Sequence, residues 1–194
     1  MADENTAGDK PFAEKPTYDQ NFFLALAAKG KDAWNEWRCD PANKNVRVTF
    51  EGIDFSVAPR DQINFSCFDF GNGADFSDCI WRGFNAIGLE ALEIASNPDY
   101  FRPGCACFKA ATFGFAANFD RVSFGSGASF CGATFDWVAS FIGGTFGNDA
   151  KFNGATFRPL ANFTGTTFGR GTELEQWTKN FANGFLRSSD ASAY

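Results

Sequence analysis

A chain of 194 residues with a formal net charge of −6 is long enough for one domain with appendages. It contains no His, which excludes Ser-His-Asp and Cys-His nucleophiles and removes the commonest protein metal ligand. No Walker-type loop and no dinucleotide fingerprint occurs among its glycines. We therefore expect no enzyme activity, no cofactor and no metal.

The composition also bears on location. The first twenty residues are polar and acidic, unlike a secretory signal, and no apolar run approaches the roughly 18–20 residues that cross a bilayer. We therefore predict a cytoplasmic protein that contacts no membrane and whose six Cys are reduced thiols.

The N-terminal region is predicted to be an arm followed by a helix. Residues 1–18 are polar and contain Pro, which indicates a mobile arm. From Asp19, which can cap it, one helix is predicted, with Gly30 weakening its middle by about 1 kcal/mol. Its apolar residues recur near helical spacing at Phe22, Phe23, Leu26, Trp34 and Trp37. Segment 19–46 is predicted to be a capping helix and linker, and a docking helix is the alternative.

A repeat dominates the second half of the chain. There are 26 Phe but one Met, which indicates a single kind of core position used many times. From residue 108 the gaps between successive Phe alternate five and six, so the true period is their sum, eleven. A small residue stands two positions before each Phe, and nine of the twelve are Ala. The predicted core residues are Phe108, Phe113, Phe119, Phe124, Phe130, Phe135, Phe141, Phe146, Phe152, Phe157, Phe163 and Phe168.

Strand geometry predicts the size of one coil. In an extended triplet such as Ala133-Thr134-Phe135, the first and third side chains point inward and the second points outward. One eleven-residue unit at about 3.3 Å per residue gives a perimeter of at most about 36 Å, too small for two Phe rings. Two such units, twice eleven or twenty-two residues with four faces, are therefore predicted for each coil. Coils about 4.8 Å apart would then stack Phe108, Phe130 and Phe152, and likewise Phe119, Phe141 and Phe163.

These motifs resemble a known family. The tandem Ala128-Ser-Phe-Cys-Gly-Ala-Thr-Phe135, which recurs as Ala150-Lys-Phe-Asn-Gly-Ala-Thr-Phe157, resembles the pentapeptide-repeat family. The likeness is closest to its Phe-rich branch, whose units alternate five and six residues. The resemblance implies an all-β solenoid, a right-handed quadrilateral β-helix, and the helical patterns at the two ends of the chain add N- and C-terminal capping helices. We predict this β-helix for residues 47–169, with a weaker motif over 48–81 and an open coil register over 48–104.

Residues 84–104 interrupt the repeat. Their first part, 86–95, favours a short helix, and two Pro-containing turns follow it. The segment is predicted to be a packing insertion. A recognition loop is the alternative, because loops on rigid scaffolds often bind partners.

The C-terminal region is predicted to be a second capping helix, over 170–187. Thr172 and Glu175 form a capping box at its start. The apolar stripe that follows would cover the last coil or pair with a second copy in a homodimer. Its candidate partner or dimer contacts are Trp177, Phe181 and Phe185. Residues 188–194 are predicted to be a disordered tail.

Three other patterns have weak functional meaning. Cys105 and Cys107 should point outward together as surface thiols, with a metal or redox role as the alternative, whereas Cys79 falls in an inward packing position. Outward Thr and Ser columns lie singly on their faces, which disfavours an ice-binding surface. A third pattern is a group of carboxylates on the early coils, interpreted as surface residues rather than an acid–base pair: Asp69, Asp75 and Asp78.

Two functions are compatible with this sequence. The first is a non-catalytic scaffold that binds a protein partner of unidentified kind. The second follows from the resemblance: some family members mimic DNA and modulate a type II topoisomerase by gyrase binding or protection. A mimic needs sustained negative potential, yet residues 104–169 hold four basic and three acidic side chains, a net of +1. The scaffold is therefore preferred, and no direct contact with nucleic acid is expected.

Overall fold

The structure, a computed structural model, describes residues 17–81, 105–158 and 160–172. Its helices are α1 (Gln20–Ala28), α2 (Lys31–Cys39) and a 3-10 helix (Arg60–Gln62). Within these ranges no helix is long and apolar enough to span a bilayer. The strands are short: β1 Thr112–Phe113, β2 Ala117–Asn118, β3 Ser123–Phe124, β4 Thr134–Phe135, β5 Val138–Ser140, β6 Thr145–Phe146, β7 Thr156–Phe157, β8 Leu160–Asn162 and β9 Thr167–Phe168.

The predicted single N-terminal helix is two helices. Asp19 caps α1 as expected, because its side chain accepts a hydrogen bond from the Phe22 backbone N–H at 2.8 Å. The prediction of one continuous helix was wrong because Gly30 has a φ of +90°, a conformation outside the right-handed helical region. The turn at Gly30 lets α2 fold back against α1.

The strands form a β-helix. Three parallel three-stranded sheets have the orders β1-β4-β7, β2-β5-β8 and β3-β6-β9. Paired residues are 22 positions apart, as in Thr112 with Thr134 and Thr134 with Thr156. Single bridges from Cys107 to Ser129 and from Ser129 to Lys151 make a fourth ladder with the same spacing. The predicted coil length, twice the eleven-residue unit, is confirmed.

The pairing also settles the register of the early coils. Thr49 pairs with Asp75, a spacing of 26, so four residues beyond one coil are accommodated there. Asp69 pairs with Thr112 and Ile80 with Ser123, a spacing of 43, which is close to the length of two coils. Because paired strands belong to neighbouring coils, the residues in excess of one coil lie between Ile80 and Thr112. The predicted insertion at 84–104 itself lies outside the described residues.

Aromatic rings stack in four columns through the interior. Between neighbouring coils the ring centroids are 4.6–5.2 Å apart, close to the strand spacing. The predicted stacking of Phe108, Phe130 and Phe152 and of Phe119, Phe141 and Phe163 is confirmed. The first column contains Phe65, Phe108, Phe130 and Phe152, and the second contains Phe70, Phe113, Phe135 and Phe157. The third contains Phe50, Phe76, Phe119, Phe141 and Phe163, and the fourth contains Phe55, Trp81, Phe124, Phe146 and Phe168.

Ten of the twelve predicted core Phe are buried, whereas Phe157 and Phe168 are half-buried and pack against the core. Each fully buried Phe contributes roughly 1.5–3 kcal/mol of gross transfer free energy. The four columns together therefore contribute a large gross stabilisation to the described solenoid, before chain entropy is subtracted.

The two helices pack on the first coil. Trp34 of α2 is fully buried, and its ring lies 5.1 Å from that of Phe68 and 5.4 Å from that of Phe70. Its indole N–H donates to the Asp69 carbonyl at 2.7 Å. The buried Arg38 guanidinium donates to three backbone carbonyls, one of them that of Phe70 at 2.8 Å. These contacts join α2 directly to the aromatic columns.

Glycine has two separate roles in the turns. Gly132 has a φ of +66°, which L residues with a side chain rarely adopt. Gly147 instead allows a close approach, since a Cβ there would lie 2.5 Å from the Ser126 backbone nitrogen. The regular spacing of these glycines therefore follows from turn conformation and coil packing.

Outward carboxylate and amide side chains close many of the short turns. The Asn118 side chain accepts from the Asp120 backbone N–H at 3.0 Å, and Asn162 accepts from Thr164 in the same way at 3.0 Å. In the coil between them the corresponding residue is Ser140. Here the Asp120 carboxylate, from the preceding coil, accepts from the Ile142 N–H at 2.9 Å and from the Ser140 hydroxyl.

We expect Asp120→Ala to lower the free energy of unfolding by about 1–2 kcal/mol, because it removes the acceptor for two donors. Ser140→Asn should restore most of this loss in the Asp120→Ala background, since Asn can close the turn locally, as Asn118 and Asn162 do. Urea denaturation of the single and double variants measures both effects. A double variant no more stable than Asp120→Ala would contradict this account of the turn.

Candidate interaction surface

Large apolar side chains reach solvent at five described positions. These are Val57, Ile80, Phe115, Trp137 and Ile142. Phe115 and Trp137 are the most exposed, at 55% and 50%. Isolated exposed apolar residues are common on protein surfaces, but contiguous ones often mark a binding site.

Phe115 and Trp137 form such a contiguous pair. Phe115 lies between β1 and β2, and Trp137 lies at the same point of the next coil, between β4 and β5. Their ring centroids are 6.3 Å apart with an interplanar angle of 29°. The pair therefore runs along one corner of the solenoid.

The backbone holds this corner in place. The Phe115 N–H donates to the Asn72 side chain at 2.9 Å, and the Phe115 carbonyl accepts from the Gly73 N–H at 2.6 Å. Gly114 is needed for this approach, because a Cβ there would overlap the Asn72 side-chain oxygen. Phe115 is thus attached to a coil that lies more than forty positions earlier in the chain.

The sheet next to this corner is almost free of charge. We call the outward side of sheet β2-β5-β8, with its edge turns, the β5 face. Between the edge residues Trp137 and Ile142, its centre includes the partly exposed side chains of Asn118, Val138, Ser140 and Asn162. Its edge turns carry Asp120, which already accepts the two hydrogen bonds described above, Arg121, which is paired with Asp78, and the exposed Asp136 beside Trp137. The β5 face therefore has an uncharged centre and a partly apolar edge.

Comparison with known proteins identifies the repeat. Residues 132–178 match the family model described as pentapeptide repeats (9 copies). This part of the chain is similar to the pentapeptide-repeat family. No curated protein and no solved structure matched the chain. The coils that precede the matched residues continue the same ladders, so the β-helix begins before Gly132.

The carboxylates of the early coils each have their own partner. Asp75 is buried and lies 2.7 Å from the Arg47 guanidinium. Asp78 receives two hydrogen bonds from Arg121, at 2.7 and 2.6 Å, and these lower the pKa of Asp78. The Asp69 side chain accepts from the Gly71 N–H at 2.9 Å. This arrangement provides turn closure and ion pairs between chain segments.

The cysteines differ from one another in burial. The prediction that Cys105 and Cys107 are both surface thiols was wrong for Cys107, which is buried with its sulfur 3.1 Å from the Ser66 hydroxyl of the preceding coil. Cys105 is half-buried, and its thiol donates to the Ser126 carbonyl at 3.9 Å. Among the described residues, no three His, Cys, Asp or Glu side chains are placed to hold a metal ion.

Cys79 occupies the inward position predicted for it. It is fully buried, its thiol donates to the Phe50 carbonyl at 3.0 Å, and burial raises its pKa from 9.0 to about 12. Above pH 9.0 the unfolded chain loses this proton while the folded chain keeps it. The raised pKa therefore stabilises the fold below pH 9.0, and this contribution is lost as the pH rises toward about 12.

We expect the wild-type protein to lose stability relative to Cys79→Ala above about pH 9, by up to about 1.4 kcal/mol per pH unit. Urea unfolding of both proteins from about pH 8 to about pH 10.5 measures the difference, and titration of other groups largely cancels between them. Parallel stability curves would show that the Cys79 thiol does not keep its proton in the folded state.

Other predicted site residues lie beyond the described ranges. The candidate partner contacts Trp177, Phe181 and Phe185 are among them, as is Glu175 of the capping box. Sequence reasoning missed Phe115 and Trp137. The available signal was that both aromatic residues stand inside the longer gaps, out of register with the core Phe series.

Proposed function

We propose that this pentapeptide-repeat protein is a non-catalytic cytoplasmic scaffold that binds a protein partner through the β5 face. The observation behind the proposal is the exposed, stacked pair of Phe115 and Trp137 beside a neutral sheet. In this proposal the coil is a right-handed quadrilateral β-helix. Helices α1 and α2 cap its first coil, and a helix over 170–187 caps the other end.

The physical case for binding rests on buried area and rigidity. Tryptophan is enriched among the residues that dominate binding energy, and removing such a side chain typically costs about 2 kcal/mol or more. Phe115 is held by backbone hydrogen bonds to Asn72 and Gly73, so little ordering entropy is lost when a partner binds. Partner binding would bury two rings that water now contacts.

The charge distribution favours the scaffold over the alternative, a DNA mimic that modulates a type II topoisomerase. A mimic needs unneutralised negative charge along its surface. Two carboxylates of the early coils, those of Asp75 and Asp78, are instead paired with Arg47 and Arg121. The centre of the β5 face, on strands β2, β5 and β8, has no charged side chain to replace them.

A comparative pull-down tests the proposed surface. Wild-type protein, a Phe115→Ser/Trp137→Ser double variant and a Val57→Ser control would be immobilised and exposed to host lysate. We expect at least one protein to be retained by the wild type and the control and lost from the double variant. Identical retention by all three would contradict the proposal.

A supercoiling assay separates the two functions. We expect no effect of the wild-type protein on gyrase activity at tens of micromolar. Dose-dependent inhibition or protection, retained in the double variant, would favour the DNA-mimic function.

A further inference from the structure

We infer that residues 10–16 of this chain dock on the stacked pair of Phe115 and Trp137 and so compete with the protein partner. The inference rests on the proposed function, because it adds regulation to the same surface. The segment has the sequence Lys10-Pro-Phe-Ala-Glu-Lys-Pro16 and directly precedes Thr17, where the described part of the chain begins.

The described chain begins close to the corner that carries this pair. The Tyr18 hydroxyl donates to the Asn43 side chain at 2.6 Å, and the Asn43 carbonyl accepts from the Arg38 guanidinium at 2.9 Å. The same guanidinium donates to the Phe70 carbonyl at 2.8 Å and packs on Gly71, where a Cβ would lie 3.1 Å from its central carbon. Tyr18 is therefore joined to the turn at Gly71 through Asn43 and Arg38.

The turn at Gly71 lies over the aromatic corner. The Gly71 carbonyl accepts from the Gly114 N–H at 2.9 Å, and the next residue, Asn72, accepts from the Phe115 N–H. Phe115 is thus one coil from this turn. Trp137 is two coils from it, about 10 Å along the solenoid axis.

Chain length allows Phe12 to contact both rings. Tyr18 and Phe12 are six residues apart, and an extended chain covers about 3.3–3.6 Å per residue, or roughly 20 Å here. The prolines at positions 11 and 16 restrict the backbone of the released segment, so docking loses less conformational entropy.

Phe12 supplies the apolar contact. It is the one aromatic residue among residues 1–16. Phe115 and Trp137 are 55% and 50% exposed, so a third ring packed on them removes apolar surface of three side chains from water. Phe12 is therefore the anchor of the docked segment.

Charges along this corner follow a definite order. Arg47 donates to the Gly73 carbonyl at 3.0 Å, at the level of the first turn, and its side chain is 66% exposed although it pairs with Asp75. The two rings come next, and Asp136 is the chain neighbour of the second ring. Asp136 is exposed and has no ion pair with any other described residue. The exposed Arg158 of the next coil would repel a cation, so a docked cation stops at Asp136.

The segment carries complementary groups in the same order. Read back from the described chain, Glu14, Phe12 and Lys10 are alternate residues, so they share one side of an extended chain at intervals of about 7 Å. In this register Glu14 lies beside Arg47, Phe12 lies on the rings, and Lys10 lies beside Asp136. The combination of an aromatic ring with flanking charges of both signs favours this segment as the occupant.

The docked state exchanges with a released one. A short tether gives an effective concentration in the millimolar range, so a weak contact is enough to occupy the corner. A partner has to displace the segment, and its apparent affinity falls in proportion to the fraction of chains that are released. Docking therefore lowers partner binding without blocking it.

NMR of the full chain tests docking at single residues. Each Trp indole N–H gives its own proton–nitrogen signal, and Trp137→Ser identifies that of Trp137 by its loss. We expect Phe12→Ser to shift the Trp137 signal, because it removes the ring packed there. The Trp34 signal should stay unchanged, because that N–H is bonded to the Asp69 carbonyl. Val57→Ser is the control, since Val57 is exposed and lies between the fourth and first columns, at the opposite corner.

An unchanged Trp137 signal in Phe12→Ser would overturn the inference. A shift that grows with protein concentration would also overturn it, because the segment on the corner would then belong to another copy. We expect the same shift at every concentration, since segment and corner belong to one chain.

A charge exchange tests the register. The measure of docking is the shift that Phe12→Ser causes in each background. This shift should shrink in Asp136→Lys chains, where two cations meet, and recover when Lys10→Glu is added. Lys29→Glu is the matched control, an exposed lysine at the end of α1, and should not restore the shift. Equal recovery with both variants would rule out a contact between Lys10 and Asp136.

The pull-down separates this inference from the proposed function. Phe12→Ser should retain severalfold more of the lysate protein that the Phe115→Ser/Trp137→Ser variant loses. If Phe12→Ser shifts the Trp137 signal but no lysate protein depends on the pair, the segment docks and the proposed function fails. If a lysate protein depends on the pair, but its retention and the Trp137 signal are both unchanged in Phe12→Ser, the scaffold function stands and this inference fails.

Discussion

Phe141→Asp is expected to abolish cooperative unfolding of the solenoid. Phe141 is fully buried, with its ring centroid 4.9 Å from that of Phe119 and 4.7 Å from that of Phe163. Truncating a buried Phe costs about 3–5 kcal/mol, and an unpaired carboxylate in an apolar site adds several more. Because typical domains are stable by only about 5–15 kcal/mol, the combined loss is enough to unfold the coil.

The matched control for this experiment is Phe115→Asp, which makes the same chemical change at an exposed position. It should change the free energy of unfolding by at most about 1 kcal/mol. Urea denaturation followed by circular dichroism distinguishes the two variants. A cooperative transition with a wild-type midpoint in Phe141→Asp would contradict an inward column of Phe rings.

Trp34→Ala is expected to lower the free energy of unfolding by about 3–5 kcal/mol. The side chain is fully buried and contacts the rings of Phe23, Phe50 and Phe68, at centroid distances of 6.2, 6.2 and 5.1 Å. The substitution leaves a cavity between α2 and the first coil, and it removes the indole donor to the Asp69 carbonyl. The first coil would then lose the cover of α2.

Trp137→Ala serves as the control for Trp34→Ala, since Trp137 is half exposed. It should cost at most about 1 kcal/mol. Hydrogen exchange adds spatial detail, because amides near Phe50 and Phe70 should lose protection first in Trp34→Ala. Unfolding midpoints that are equal in Trp34→Ala and the wild type would show that α2 does not stabilise the solenoid.

The repeat could be predicted from the sequence because equivalent positions in successive units have the same environment. Ala133 and Phe135 both face the interior, and the same arrangement recurs on each of the four faces of a coil, so spacing alone predicted the coil and the ring columns. The pentapeptide-repeat resemblance added the fold class. Alternation in extended strands is a local property, which is why no tertiary information was needed.

The early coils could not be placed in this way. Trp81 stands in a column otherwise made of Phe, with its ring 4.6 Å from that of Phe55 and 5.0 Å from that of Phe124. The longer and unequal spacings between paired residues hide the coil period there. Chain length between two strands says little about their pairing when the spacing of paired residues differs from one coil to the next. Hydrogen bonding between distant segments decided the register.

Local sequence likewise gave an incomplete account of the helices and turns. Apolar spacing was compatible with one helix from Asp19, but the backbone at Gly30 turns and lets α2 return to α1. The turn at Ile142 depends on Asp120, a partner in the preceding coil. Both features depend on contacts that only the folded chain brings together.

The sequence by itself determined the repeat period, the inward Phe positions and the absence of His-based chemistry. The tertiary structure decided which aromatic residues remain outside the core. Phe115 and Trp137 have the same side-chain chemistry as the core rings, but their backbone positions at a corner direct them to solvent. Burial depends on where the coil places a side chain, so composition could not separate these two residues from the core.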